Sequence, residues 1–120
     1  HASGACGIGV IKAAKEKGEG YYAIGVDSPQ FALAPESVLT SMLKRVDTGV
    51  YKVSKALIRG NWEAGHVVLG LKENGVGYSE HAKKMVDNET LEIVDGYKMQ
   101  IIGNNIDVPA TRGEYTEMYK

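Results

Sequence analysis

Several kinds of protein are excluded by what this sequence lacks. It has one cysteine, Cys6, so no internal disulfide forms and the redox compartment stays open. No apolar run approaches the roughly 18 residues that a membrane-spanning helix needs. Neither sign of charge dominates. Fourteen Lys and Arg against fifteen Asp and Glu leave a net charge of -1, with a pI near 6.3. That balance removes the main electrostatic argument for a nucleic-acid or anionic-membrane partner. Internal repeats, low-complexity tracts and linkers are missing too. The three histidines, His1, His66 and His81, lack the paired spacing of a zinc site.

What remains is ordinary globular chain. The 120 residues suffice for one domain, and 43% apolar with 24% charged residues is a folding composition. Fifteen glycines, against a typical ~7% of residues, announce many tight turns. The chain opens on His1-Ala2-Ser3-Gly4 without an initiator Met or a basic n-region. A glycine-rich turn then feeds a helix with no room for the strand that such a turn normally follows. The expectation is a piece of a longer protein, cut inside a βα unit; an expression scar is the alternative.

Periodicity predicts a helix over Gly7–Lys17, stopped by Gly18 and Gly20. Tyr21–Val26 reads as a strand buried on both faces, followed by an Asp27-Ser28-Pro29-Gln30 turn. A long helix is expected from Glu36 to Arg59, its apolar stripe packed on the sheet, with Leu43 in the core. His66–Leu71 reads as a second strand, and Asn74-Gly75 as a hairpin turn. A final helix, capped by Asp87-Asn88, runs to Gly103. The polar tail 110–120 is expected to be poorly specified, outside a domain of residues 1–109. This order predicts an α/β protein with a mainly parallel sheet flanked by helices.

Few residues could carry chemistry. Gly4-Ala5-Cys6-Gly7-Ile8-Gly9 precedes a helix whose free N–H groups attract anions and hydrogen-bond acceptors. Its spacing is neither the dinucleotide fingerprint nor a P-loop. The turn then either lines a site or only lets helix and strand pack closely. Asp27, at the carboxyl end of an apolar strand, sits where open α/β sheets bind ligands, and its carboxylate can accept from hydroxyls, ribose in particular. An Asx-turn or helix cap is the competing role. Lys44 lies among core positions of the expected helix, either solvated or reaching over a cleft. Cys6 invites a nucleophile reading because it precedes a helix N-terminus, but nothing in the spacing brings a histidine base to it.

Three blocks together resemble the C-terminal part of a known family. They are Gly7-Ile8-Gly9-Val10 through Ala23-Ile24-Gly25-Val26-Asp27-Ser28, then Val38–Asp47, then Leu69-Gly70-Leu71 to Gly75-Val76-Gly77. The family is that of the basic membrane proteins, the nucleoside-binding lipoproteins of bacterial ABC importers. The resemblance covers nearly the whole chain. It implies one lobe of a type I periplasmic-binding-protein fold, non-catalytic, with no cofactor, closing on a purine nucleoside. It also implies an ABC permease as partner, and an extracytoplasmic location with a lipid anchor in the parent protein. Carried over by position, Asp27 and Lys44 would bind ribose hydroxyls, and Gly4, Ala5, Cys6 and Gly7 would line the cleft near the base. The family's usual turn has a second acid where this sequence has Pro29, so any role of that acid is lost. A first lobe would be missing, and the isolated lobe is expected to self-associate through exposed apolar surface. A cytoplasmic ligand-sensing domain of the same fold and a dinucleotide-dependent enzyme domain are the alternatives.

Overall fold

The computed structural model describes residues 1–119. After a 3₁₀ turn at Gly4–Cys6, helix α1 spans Gly7–Lys17, the span its periodicity predicts. Strand β1 (Ala23–Asp27) follows, then a 3₁₀ turn at Phe31–Leu33 and strand β2 (Val38–Lys44). Helix α2 (Val46–Ile58), strand β3 (Val76–Tyr78), and helices α3 (Ala82–Met85), α4 (Asn88–Ile102) and α5 (Arg112–Met118) complete the order. β1 and β2 pair in parallel, β2 and β3 antiparallel, in the order β1-β2-β3. The architecture is an α/β sheet containing a parallel pair and flanked by helices.

Residues 36–59, expected as one helix, divide into β2, Arg45 and α2. The stripe at 46, 50, 53 and 57 belongs to the helix alone. Upstream of it, Thr40 and Ser41 spend their side chains on the segments that follow β3 and β1. Thr40 Oγ1 donates to the Ser79 carbonyl at 3.3 Å, and Ser41 Oγ accepts from the Gln30 N–H at 3.0 Å. Pairing with strands on both sides outweighs the local helical rhythm. Arg45 departs from helical geometry at ψ 70 and binds Asp47 in the first turn of α2. That guanidinium holds the Asp47 carboxyl below the usual carboxylate range.

His66–Leu71 forms no strand; Val67 and Val68 stand exposed without a ladder partner among the described residues. Asn74, at φ 57, turns the chain into β3 instead of joining two strands. Gly75 passes against the Leu69 backbone, where a Cβ would strike the carbonyl. Nor is β1 buried on both faces. Ala23 lies under α1, in a core of Ile11, Ala14, Ala23, Ala34 and Val38, while Ile24 and Met42 on the opposite face are exposed.

The core is small and the molecule extended. Its radius of gyration is 17.2 Å, against about 14 Å for a compact chain of this length. α2 buries no residue at all; Val46, Val50, Val53 and Leu57 are each more than half exposed. The stripe expected to pack on the sheet therefore stays uncovered among the described residues. α4 is tied to β3 by the Tyr78 hydroxyl, which donates to Asp95 Oδ1 at 3.0 Å. Burial first, and the Asp95 carboxylate second, push this phenol's pKa up. The tail also has structure. α5 begins on a capping box, Thr111 Oγ1 accepting from the Glu114 N–H and the Glu114 carboxylate from the Thr111 N–H.

Asp87 caps α4, accepting from the Thr90 N–H at 2.8 Å and from the Thr90 hydroxyl at 2.9 Å. These bonds, the backbone one first, lower its carboxyl pKa. A carboxyl lowered on folding stabilises fully above its unfolded value of about 3.9 and loses that contribution as pH falls through the folded value. Amide exchange at Thr90, corrected for intrinsic rate, is therefore expected to lose protection in acid. In Asp87→Ala the same amide should exchange fast at every pH; wild-type protection that is flat with pH would contradict the cap.

Candidate ligand-binding site

Asp27 is the last residue of β1 and Lys44 the last of β2; parallel pairing, with Asp27 opposite Leu43, brings both to one sheet edge. Lys44 thus belongs to a strand end and not to the helix its neighbours suggested. Asp27 takes φ 67, a left-handed conformation that aspartate tolerates better than most residues. The Ser28 N–H then donates to the Val26 carbonyl at 2.8 Å, reversing the chain at once. An Asx-turn would need the Asp27 side chain to accept from the following backbone. Here the backbone carbonyl does that work, and the carboxylate accepts no hydrogen bond from the described residues.

Lys44 Nζ lies 3.8 Å from Asp27 Oδ1, the two side chains 61% and 60% exposed. An ion pair this exposed contributes only about 0–1 kcal/mol. Neither group is committed to holding the fold. A carboxylate that accepts and an ammonium that donates, side by side and in water, are complementary to a pair of neighbouring hydroxyls.

The Gly4–Gly7 turn belongs to the same edge. α1, at about 1.5 Å per residue, and β1, at about 3.3 Å per residue, have nearly equal lengths and are joined by a short turn at residues 18–22. The helix therefore runs back beside the strand, and its N-terminus returns to the strand's carboxyl end. Gly4, at φ 53, makes the bend, and Ala5 and Cys6 are exposed. The turn's backbone bonds are internal, Cys6 N–H to the Ser3 carbonyl and Gly7 N–H to the Gly4 carbonyl. The bridge between turn and strand end is His1. Its ring lies against Gly7, and its Nε2 donates to Gln30 Oε1 at 3.1 Å.

The Cys6 thiol is free and exposed. His81 serves the fold, stacking on Phe31 with ring centroids 4.7 Å apart and lying 3.2 Å from the Pro35 carbonyl. Among the described residues no group of His, Cys, Asp and Glu converges as a metal site. Three shallow depressions, of about 630, 500 and 260 Å³, lie away from Asp27 and Lys44. The sheet edge with Asp27 and Lys44 is thus an open surface facing solvent. Sequence reasoning missed Gln30 and Ser41, which hold the Asp27 turn.

Among solved structures, the chain is similar to the crystal structure of ABC transporter system solute-binding proteins from Aeropyrum pernix K1. The TM-score is 0.65 and the identity 27%, over 90% of this chain and 38% of that one. The fold thereby matches part of one class of proteins, the solute-binding proteins of ABC transporters. The profile of the Bmp family, described as "ABC transporter substrate-binding protein PnrA-like", matches residues 1–112. The chain belongs to this family. Basic membrane protein B of Borrelia garinii subsp. bavariensis is 38% identical over 117 residues, 95% of this chain and 32% of that protein. Basic membrane protein A of Borreliella burgdorferi is 38% identical over 122 residues, 100% of this chain and 36% of that protein. The chain spans about a third of the length of these curated relatives.

Proposed function

We propose that this chain is the second lobe of an extracytoplasmic, lipid-anchored receptor that captures a purine nucleoside and delivers it to an ABC permease. Asp27 accepts from the ribose hydroxyls and Lys44 donates to one of them, while Gly4, Ala5, Cys6 and Gly7 line the cleft beside the base. One observation carries the reading: the Asp27 carboxylate stands at a strand's carboxyl end with no structural hydrogen bond to make and Lys44 beside it. Membership of a substrate-binding family supports it. A single lobe supplies half of such a site, and a closed cleft that buries most of its ligand needs the other half. Calorimetric titration of the two-lobed protein with inosine, guanosine and adenosine, against free ribose, tests the assignment. Saturable binding of a nucleoside is expected; binding of ribose alone, or of none of these, would overturn it.

The same reading explains the bare stripe of α2. An apolar helix face in water favours association, so the isolated 120-residue chain is expected to self-associate. Sedimentation should show the association growing with concentration, and Val50→Asp with Leu57→Asp should reduce it. A monomer at all concentrations contradicts the expectation.

A further inference from the structure

We infer that Gln30 is a positioning residue for Asp27, acting through a relay that Ser41 and Ser79 anchor in the sheet. The inference rests on the nucleoside reading of Asp27 and adds to it what holds that carboxylate in place. Asp27 sits in the left-handed region at φ 67, a conformation that persists only where its surroundings impose it. The Gln30 side chain folds back over β1, and its Oε1 accepts from the Val26 N–H at 3.0 Å, immediately before Asp27. That amide lies on the edge of β1 away from β2, so the glutamine stands where a neighbouring strand's carbonyl would. The other end of the residue is fixed as well, the Gln30 N–H donating to Ser41 Oγ at 3.0 Å.

Ser41 is fully buried and lies opposite Gly25 in the ladder. It is held in turn by Ser79, whose Oγ accepts from the Ser41 N–H at 3.2 Å and whose N–H donates to the Ser41 carbonyl at 2.9 Å. Gly25 leaves the passage open, since a Cβ there would strike both Ser41 Oγ and Gln30 Oε1. The four-residue loop from Asp27 to Gln30 is therefore clamped at both ends to β1 and β2, with the Asp27 carboxylate exposed to solvent at its start. Buried polar contacts that are fully paired fix geometry strongly, because losing a partner leaves a desolvated group behind.

The test compares a ribonucleoside with its 2′,3′-dideoxy analogue in the two-lobed protein. The ratio of the two affinities reports the contacts to the ribose hydroxyls, those of the placed carboxylate and of Lys44 beside it, which a general loss of stability does not move. Gln30→Met removes the acceptor at similar length and is expected to lower the ratio about tenfold, chiefly by weakening the ribonucleoside. Gln30→Glu keeps an oxygen for the Val26 N–H and should restore most of it. Ser41→Ala, which releases the other clamp, should lower the ratio in the same direction. If Asp27→Ala collapses the ratio while Gln30→Met and Ser41→Ala keep it, the positioning role is overturned and the nucleoside reading stands. Equal weakening of both ligands in Gln30→Met also overturns it, as a purely structural effect. An unchanged ratio in Asp27→Ala removes the nucleoside reading itself.

Discussion

Replacing Asp27 by alanine is expected to weaken purine-nucleoside binding by about ten- to a hundredfold, at ~1.4 kcal/mol per decade. A hydrogen bond to a charged group contributes about 1.5–3 kcal/mol. The 60% exposure of the Asp27 side chain keeps the estimate at the lower end of what two such bonds could give. Lys44→Ala should cost less, because a flexible lysine gives up more rotamer freedom when it engages. Calorimetric titration with inosine, guanosine and adenosine measures both variants. Because the pair's mutual attraction is weak, Lys44→Ala should not shift the thermal midpoint appreciably, whereas Asp27→Ala should lower it modestly, alanine being strained at φ 67. Unchanged affinity for all three nucleosides in Asp27→Ala would leave the turn without a binding role.

A second large effect is expected in the core. Ile11 is 1% exposed and is the bulkiest residue of a five-member cluster completed by Ala14, Ala23, Ala34 and Val38. Ile11→Ala should cost about 2–5 kcal/mol, the transfer term plus a cavity its small neighbours cannot refill. Against a typical total of about 5–15 kcal/mol, that is enough to unfold a marginal domain. Leu43, expected in the core when residues 36–59 read as one helix, is only half-buried on β2, and Leu43→Ala should cost clearly less. Leu57→Ala, on the uncovered face of α2, should stay within about 0.5 kcal/mol. Denaturant melts of the three variants check the order. A loss at Ile11 no greater than at Leu57 would show that the cluster is not the core.

The elements legible in the sequence were those with strong local punctuation. α1 ends at paired glycines, and Asp87 caps α4 with its own side chain. β2 was illegible because Val38, Leu39, Met42, Leu43 and Val46 fall at helical spacings, while their strand pairing is a long-range event. His66–Leu71 shows the converse, a strand-like run with no neighbour to pair with. β3 spans three residues and exists only because β2 does. The helix in the polar tail could have been found, since Thr111 and Glu114 stand at capping-box spacing.

The candidate site was legible in part for a similar reason. A carboxylate after an apolar strand is a local pattern, so Asp27 could be singled out from its neighbours. Lys44 could not, because its closeness to Asp27 depends on the parallel register of β1 and β2; it came from family resemblance. Gln30 and Ser41 act through bonds spanning four and eleven positions along the chain. No spacing rule anticipates those.

The most direct measurement is a crystal structure of the two-lobed protein with a purine nucleoside bound. The account predicts Asp27 carboxylate oxygens within about 2.5–3.0 Å of the ribose hydroxyls, Lys44 Nζ on the same sugar, and the Gln30 side chain still on the Val26 N–H. A nucleoside seated away from the carboxyl ends of β1 and β2, or one whose ribose leaves Asp27 in water, would contradict it.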